Sequence, residues 1–163
     1  MSRTSERWTN PPPPPDEGVA GPDADPEAVA RRILLEQLTG RARSRAELAD
    51  KLRGRGVPDE VAERLLTRFT EVGLIDDAAF AHAWATSRQS GRGLAKRALA
   101  LELRRKGIDE ETVAETLSGL DPEAEEAAAR QLLRKKMRSM RGLPREVATR
   151  RLLGALARKG HSG

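Results

Sequence analysis

The sequence predicts an all-α protein built from tandem three-helix units, of which the third is incomplete. Three observations support this fold class. Leu and Ala dominate the apolar residues, aromatic residues make up only 2% of the chain, and Tyr is absent. Because strands favour aromatic and β-branched residues, this composition is typical of helices. The other two observations are a repeated leucine–glycine motif and a capping residue before several of the apolar stripes.

The leucine–glycine motif, Leu-x-x-x-Leu-x-x-x-Gly, occurs three times with the same internal spacing. Its copies lie 51 and then 53 residues apart, at Leu48/Leu52/Gly56, Leu99/Leu103/Gly107 and Leu152/Leu156/Gly160. Each copy predicts a helix that ends at a left-handed glycine. Three copies at a nearly constant period indicate tandem structural repeats. Only three residues follow Gly160, so we expect the third unit to lack its last helix.

The first predicted unit spans residues 26–74 and follows an arm, residues 1–25, that we expect to be disordered. Pro11–Pro15 favour polyproline II, and scattered Gly and acidic residues complete the arm. Asp25 then caps a helix whose first residue is a proline. Ser44 and Glu47 have the spacing of a capping box for a second helix. A third helix opens at Pro58, and its inward residues are Val61, Leu65, Leu66 and Phe69.

The second predicted unit spans residues 75–120. Asp76 or Asp77 caps its first helix, which we expect to break at Gly91-x-Gly93. Its helices carry Phe80 and Trp84, then Leu99 and Leu103, then Val113 and Leu117. The third predicted unit spans residues 121–163 and opens at Asp121-Pro122. Helical phase gives its first helix an inner stripe of Ala129, Leu133, Met137 and Met140.

Catalytic, cofactor and metal chemistry find no support in the sequence. The chain has no Cys, which excludes disulfides and thiolate metal sites, and it has only two histidines, His82 and His161. Gly91-Arg92-Gly93 lacks the spacing of a Walker loop. No apolar run approaches the ~20 residues that span a bilayer, and no signal-peptide pattern opens the chain. We therefore expect a cytoplasmic, non-enzymatic protein that holds no cofactor and no metal.

Basic residues are concentrated in two segments of the chain. Residues 88–106 carry seven bases and one acid, residues 130–159 carry eleven bases and one acid, and residues 107–129 carry eight acids and no base. Two basic blocks favour a polyanionic partner. The candidate contacts are Arg88, Arg92, Lys96, Arg97, Arg104, Arg105, Arg134, Lys135, Arg138, Arg141, Arg150 and Arg151. With so few aromatic side chains to stack on bases, binding of single-stranded DNA should be weak and independent of sequence.

Leu101 lies between Arg97 and Arg104 on the outward face of its predicted helix. Two interpretations remain open at this point: a flanking helix buries this leucine, or it packs against a partner molecule.

Four segments, in order along the chain, resemble the RecX family. They are Ser44–Leu48 with Lys51-Leu52, Gly73–Ala81 with Trp84 and Arg88, Ala98–Ile108, and Gly142–Val147. The resemblance implies three tandem three-helix units in an elongated, curved array. It also implies binding to the RecA recombinase filament on single-stranded DNA, and inhibition of filament growth, ATP hydrolysis and strand exchange. The proline-rich arm and the missing last helix depart from the family pattern.

Two other functions fit the residues without the resemblance. One is a basic helical protein that binds nucleic acid without a recombinase. The other is a scaffold whose acidic helix, near Asp109–Leu117, recruits a basic partner. We expect a monomer that regulates RecA, and recombinase ATPase on single-stranded DNA separates these three functions.

Overall fold

The computed structural model describes residues 25–162, so the predicted disorder of the arm lies outside the described residues. Within that range the chain forms eight helices and no strand. They are α1 Pro26–Gly40, α2 Arg45–Gly54, α3 Asp59–Glu71, α4 Asp77–Arg92, α5 Lys96–Arg105, α6 Glu110–Ser118, α7 Pro122–Arg138 and α8 Arg145–Arg158. Helices α1–α3 pack together as unit one, α4–α6 as unit two, and α7 with α8 as unit three. The all-α tandem fold is confirmed.

Polar side chains cap five of these helices at their N-termini. In the capping box of α2, Ser44 Oγ accepts from the Glu47 N–H at 3.2 Å, and the Glu47 carboxylate accepts from the Ser44 N–H at 3.3 Å. Of the two candidates before α4, Asp76 is the cap and accepts from the Ala79 N–H at 2.9 Å. The other caps are Asp25, Asp109 and Asp121. These local bonds explain why the helices begin where the sequence indicates.

Units one and two each enclose a core built around the leucine–glycine motif. Leu48 and Leu52 are fully buried in unit one, as are Leu99 and Leu103 in unit two. The surrounding apolar side chains come from the other helices of each unit. Full burial of one leucine contributes about 1.5–3 kcal/mol to stability, so these pairs are major stabilising contacts.

Unit three buries the leucines of the same motif less completely. Its first helix, α7, has no fully buried residue, and Leu152 and Leu156 on α8 are half-buried. The predicted inner stripe on α7 is therefore wrong for Met137, whose exposed fraction is 57%. The reason is that only α7 and α8 form this unit within residues 25–162, whereas three mutually packed helices form each of the other units.

The predicted break of the first helix of unit two at Gly91-x-Gly93 is confirmed, whereas one interpretation of Leu101 is wrong. Helix α4 continues to Arg92, and Gly93, with φ of +64°, ends it. A single glycine costs a helix about 1 kcal/mol and does not by itself stop it. Leu101 is exposed on α5, so its burial by a flanking helix is wrong for the described part of the chain.

Gly107, the glycine that ends the leucine–glycine motif of unit two (the closing glycine of that motif), lies at the junction with unit one. Gly107 lies so close to Ala46, at the start of α2, that a Cβ on the glycine would overlap the alanine side chain. Its φ of +76° is also a conformation that side chains disfavour. Beside it, Ser44 Oγ donates to the Lys106 carbonyl at 2.7 Å. The end of α5 therefore abuts the start of α2.

The junction between units two and three repeats this arrangement. Gly160, with φ of +83°, faces Ala98 near the start of α5, and a Cβ on the glycine would lie 2.7 Å from the Ala98 nitrogen. The Ala95 N–H donates to the Lys159 carbonyl at 2.9 Å. Ala95 and Ser44 hold the same N-cap position in their units.

Within residues 25–162, no helix combines the length and the apolar character that a membrane span requires.

Candidate nucleic-acid interface

The candidate interface lies on unit three and on the end of α4. Helix α7 begins with acidic residues, Glu123 and Glu125, and ends with the bases Lys135, Lys136 and Arg138. This order suits the helix dipole, because cations are stabilised near the carbonyl end. The bases on this end are all exposed, so their charges face solvent.

A groove between α4 and α7, which we call the α4–α7 groove, has a volume of about 370 Å³. Four cations line it: Arg92 at the end of α4, Lys135 and Lys136 on α7, and Lys159 beyond α8. The left-handed turn at Gly93 places the end of α4 beside α7. A Cβ on Gly93 would lie 3.6 Å from the Ala128 carbonyl oxygen. Residues from two units therefore form one basic groove.

A second groove, the α7–α8 groove, has a volume of about 380 Å³. Its cations are Lys136 on α7 and Arg150, Arg151 and Arg158 on α8. Lys136 borders both grooves, which therefore meet at α7. We call their cations together the basic surface: Arg92, Lys135, Lys136, Arg150, Arg151, Arg158 and Lys159.

No member of the basic surface forms an ion pair with any residue of 25–162. Clustered cations without counter-charges produce a positive potential that attracts polyanions. The arrangement can bind phosphate groups through charge-assisted hydrogen bonds. Four of the predicted candidates, Arg92, Lys135, Arg150 and Arg151, belong to this surface.

Two predicted candidates are instead paired with acids in unit two. Arg88 lies 3.4 Å from the Glu102 carboxylate, and its guanidinium is 4.3 Å from the centre of the Trp84 ring. Arg104 makes two bonds to the Glu110 carboxylate, at 2.6 and 3.1 Å. This pairing raises the pKa of Arg104 and lowers the pKa of Glu110. The charges of both arginines are therefore partly neutralised, which their positions around the predicted helices did not indicate.

The remaining predicted candidates line neither groove. Five are exposed: Arg97 and Arg105 on α5, Arg134 and Arg138 on α7, and Arg141 after α7. Lys96 is half-buried at the start of α5, and its backbone N–H donates to the Glu125 carboxylate at 3.3 Å. Their side chains carry charge at the molecular surface, but the structure does not bring them into the two grooves.

Sequence reasoning missed Lys136, Arg158 and Lys159 as members of the surface. A signal for the last two was present, since a base precedes the closing glycine in every copy of the leucine–glycine motif. What the repeat could not reveal is that the end of α8 folds against unit two. That contact includes His161, whose Nε2 lies 2.7 Å from the Gly93 carbonyl oxygen.

Within residues 25–162, no group of three or more His, Cys, Asp or Glu side chains is placed to hold a metal ion. His82 is exposed on α4. The grooves present cations and backbone, an arrangement suited to binding anions.

Comparison with protein families finds RecX models along most of the chain. The models of the first, second and third three-helix domains of RecX match residues 30–69, 76–117 and 123–163. A "Regulatory protein RecX" of Thermobifida fusca is 55% identical over 149 residues, which covers 90% of this chain and 80% of the relative. One of Streptomyces lividans is 55% identical over 141 residues, covering 86% and 75%.

Solved structures give the same result. A crystal structure of regulatory protein RecX superposes with a TM-score of 0.77 at 27% identity, covering 85% of this chain and 68% of that one. The crystal structure of RecX from Lactobacillus salivarius has a TM-score of 0.78 at 20% identity, covering 85% and 90%, and it supports the fold alone.

Proposed function

Because the chain belongs to the RecX family of regulatory proteins, we propose that it is a negative regulator of the RecA recombinase. It binds the RecA filament on single-stranded DNA and inhibits filament growth, ATP hydrolysis and strand exchange. It acts in the cytoplasm by binding, without catalysing a reaction of its own. The name of the family supports regulation of RecA.

The observation that carries this proposal is the unpaired basic surface. A RecA filament encloses DNA, so a regulator that enters its groove meets phosphates as well as protein. Seven cations that form no ion pair within the described residues offer contacts to such phosphates. These contacts read no bases, because the described aromatic rings are buried or half-buried in units one and two. Direct binding to single-stranded DNA is therefore weak, insensitive to sequence and steeply dependent on salt.

We also propose that the protein is a monomer. The unit junctions need small residues, Ala46 and Ala98, at the start of the receiving helix. Counted from the first leucine of the motif, the matching positions in unit three hold Arg150 and Arg151, which lie inside α8 and not at its start. Two long charged side chains there oppose the stacking of a further unit or a second copy. Light scattering after gel filtration should give the mass of one chain.

The test is ATP hydrolysis by RecA on single-stranded DNA, titrated with this protein. The parent protein should inhibit hydrolysis. The double variant Lys136→Glu, Arg150→Glu reverses two exposed charges in the α7–α8 groove and should relieve most of the inhibition. Affinity for single-stranded DNA should also fall, and the dependence of its logarithm on log salt should flatten by about 0.7 per lost phosphate contact.

The matched control is Lys51→Glu, Arg55→Glu. Both residues are exposed in unit one, lie outside the two grooves, and the substitutions change the net charge by the same amount. This control should retain most of the inhibition. If the parent protein binds DNA but never alters hydrolysis, the recombinase-independent nucleic-acid-binding function replaces this one.

A further inference from the structure

A cleft lies where units one and two meet, and none of the residues that line it belongs to the basic surface. Its volume is about 520 Å³, and we call it the junction cleft. Its apolar wall consists of Leu38 at the end of α1, Leu74 before α4, and Phe80, Ala83 and Trp84 on α4. The volume suffices for one or two large side chains of another molecule.

The aromatic wall of the junction cleft is held rigidly. Trp84 Nε1 donates to the Glu102 carboxylate at 2.9 Å, and the rings of Phe80 and Trp84 stack with centroids 5.8 Å apart. Arg88 and Lys106 lie over the Trp84 ring, at 4.3 and 4.7 Å from its centroid. With these groups against the indole, little ring surface remains for a nucleic-acid base. The rest of the apolar wall, Leu38, Leu74 and Ala83, is aliphatic and suits the packing of an apolar side chain.

Leu74 makes this cleft unusual, because its side chain is 52% exposed at the cleft edge. Val72, two residues earlier, is also exposed. Large apolar side chains beside a concave wall are typical of protein-interaction surfaces. An apolar group inserted here would remove Leu74 and the Trp84 edge from water together.

Two arginines border the same cleft. Arg41 is exposed and Arg43 is half-buried, and neither forms an ion pair within residues 25–162. The Nε of Arg43 is buried and has no hydrogen-bond partner in the part of the chain that the structure describes. Lys106, by contrast, already pairs with Glu47 at 3.4 Å. Glu47 and Asp76 also line the cleft, but Glu47 pairs with Lys106 and Asp76 caps α4. A carboxylate bound at this edge would compensate the arginine charges, so the occupant should be acidic as well as apolar.

We propose that the junction cleft binds a polypeptide segment of the recombinase that carries a large apolar side chain next to a carboxylate. This inference rests on the proposed function and divides it between two sites. The junction cleft contacts protein, and the basic surface contacts DNA. A substitution at one site should therefore weaken binding there without weakening binding at the other.

The test measures three affinities for each variant: for the free recombinase, for the recombinase assembled on single-stranded DNA, and for single-stranded DNA alone. Leu74→Asp places a charge on the apolar wall and should weaken recombinase binding at least about tenfold, the effect of 1.4 kcal/mol. Arg41→Glu should weaken it about threefold. Affinity for DNA alone should stay within about twofold for Leu74→Asp, because phosphates contact the other site.

Matched controls separate the cleft from general effects of charge. Leu35→Asp replaces another leucine, 46% exposed on α1 and outside the cleft, and Lys51→Glu reverses another exposed cation of unit one. Both should bind the recombinase like the parent. Ala83→Glu, at an exposed position of the cleft wall, is a second variant in case Leu74→Asp melts earlier than the parent.

The outcomes distinguish this inference from the proposed function. If the parent binds the recombinase and the cleft variants bind it equally well, the inference is wrong and the proposed function stands. If cleft variants lose DNA affinity in parallel with recombinase affinity, the cleft contacts nucleic acid and the inference is also wrong. If the parent itself fails to bind the recombinase, the proposed function fails and this inference fails with it.

Discussion

Units two and three carry the same leucine–glycine motif, yet they bury it to different extents. Leu99 and Leu103 are inaccessible to solvent, whereas Leu152 and Leu156 are half-buried. The closing glycines of both copies adopt the same left-handed turn. The motif therefore specifies a helix and its end, while the depth of the core depends on how many helices surround it.

Units one and three differ in charge as well. In unit one, arginines pair with neighbouring acids, as in Arg45–Glu63, Arg53–Asp50 and Arg68–Glu71. In unit three, the cations of the basic surface have no such partners within residues 25–162. Uncompensated like charges oppose compact packing. Unit three thus combines a thin core with a surface suited to a polyanion, and units one and two form the stable framework.

The largest effect should come from the motif leucines. Leu99→Ala should lower the free energy of unfolding by about 2–5 kcal/mol, because a fully buried side chain leaves a cavity. Leu152→Ala should cost about 1–2 kcal/mol, because its side chain is only half-buried. Urea denaturation of both variants measures the difference. Equal costs would mean that unit three is as well packed as unit two.

A smaller effect should separate the closing glycines. Gly56 and Gly107 share a φ of +76°, but only Gly107 faces another unit. Gly56→Ala should cost about 1–2 kcal/mol, the penalty of a left-handed alanine. Gly107→Ala should cost more, because its Cβ also collides with Ala46. If thermal melting shows the same loss for both variants, the junction is looser than the structure describes.

Removing a cation from unit three should change stability only slightly. Arg150→Glu should alter the free energy of unfolding by at most about 0.5 kcal/mol, because the side chain is exposed. The change should be stabilising at low salt, since it relieves repulsion among the basic residues, and should diminish as salt screens the charges. Denaturation at two salt concentrations tests this. A large destabilisation would contradict the assignment of Arg150 to a binding surface.

The smallest effect concerns Asp77 at the junction of units one and two. Burial raises its pKa above the ordinary value, although the bond from the Arg45 N–H acts in the opposite direction. Because the folded state holds this proton more tightly, the stability contribution of Asp77 declines as the pH rises through the raised pKa. Asp77→Asn keeps an acceptor for the Arg45 N–H and should gain more stability relative to the parent at pH 7 than at pH 4. Melting curves at both pH values check the sign, and a gain of the same size at pH 4 would contradict it.

Much of the fold followed from local signals in the sequence. Asp25, Ser44 and Asp121 cap helices where their spacing indicated, because capping needs only residues within one turn. The exposure of Arg97, Arg134 and Arg150 also followed from helical phase. The family was recognisable from four short segments, and the comparisons confirm it.

Contacts between units were beyond local reasoning. Two arginines form ion pairs that depend on how α4, α5 and α6 pack: Arg88 with Glu102 and Arg104 with Glu110. These acids partly neutralise the arginine charges. The exposure of Met137 depends on which helices are absent beside it within residues 25–162.

The sequence by itself determined the helices, their ends, their order and the family. The tertiary structure alone decided which cations meet in grooves and where a cleft opens. Lys136 and Lys159 come together only because Gly160 lets the end of α8 approach Ala98. Arg43 and Trp84 share a cleft only because Gly107 seats α5 against α2. Short-range hydrogen bonds specify the helices, whereas packing between distant segments specifies the surfaces that bind.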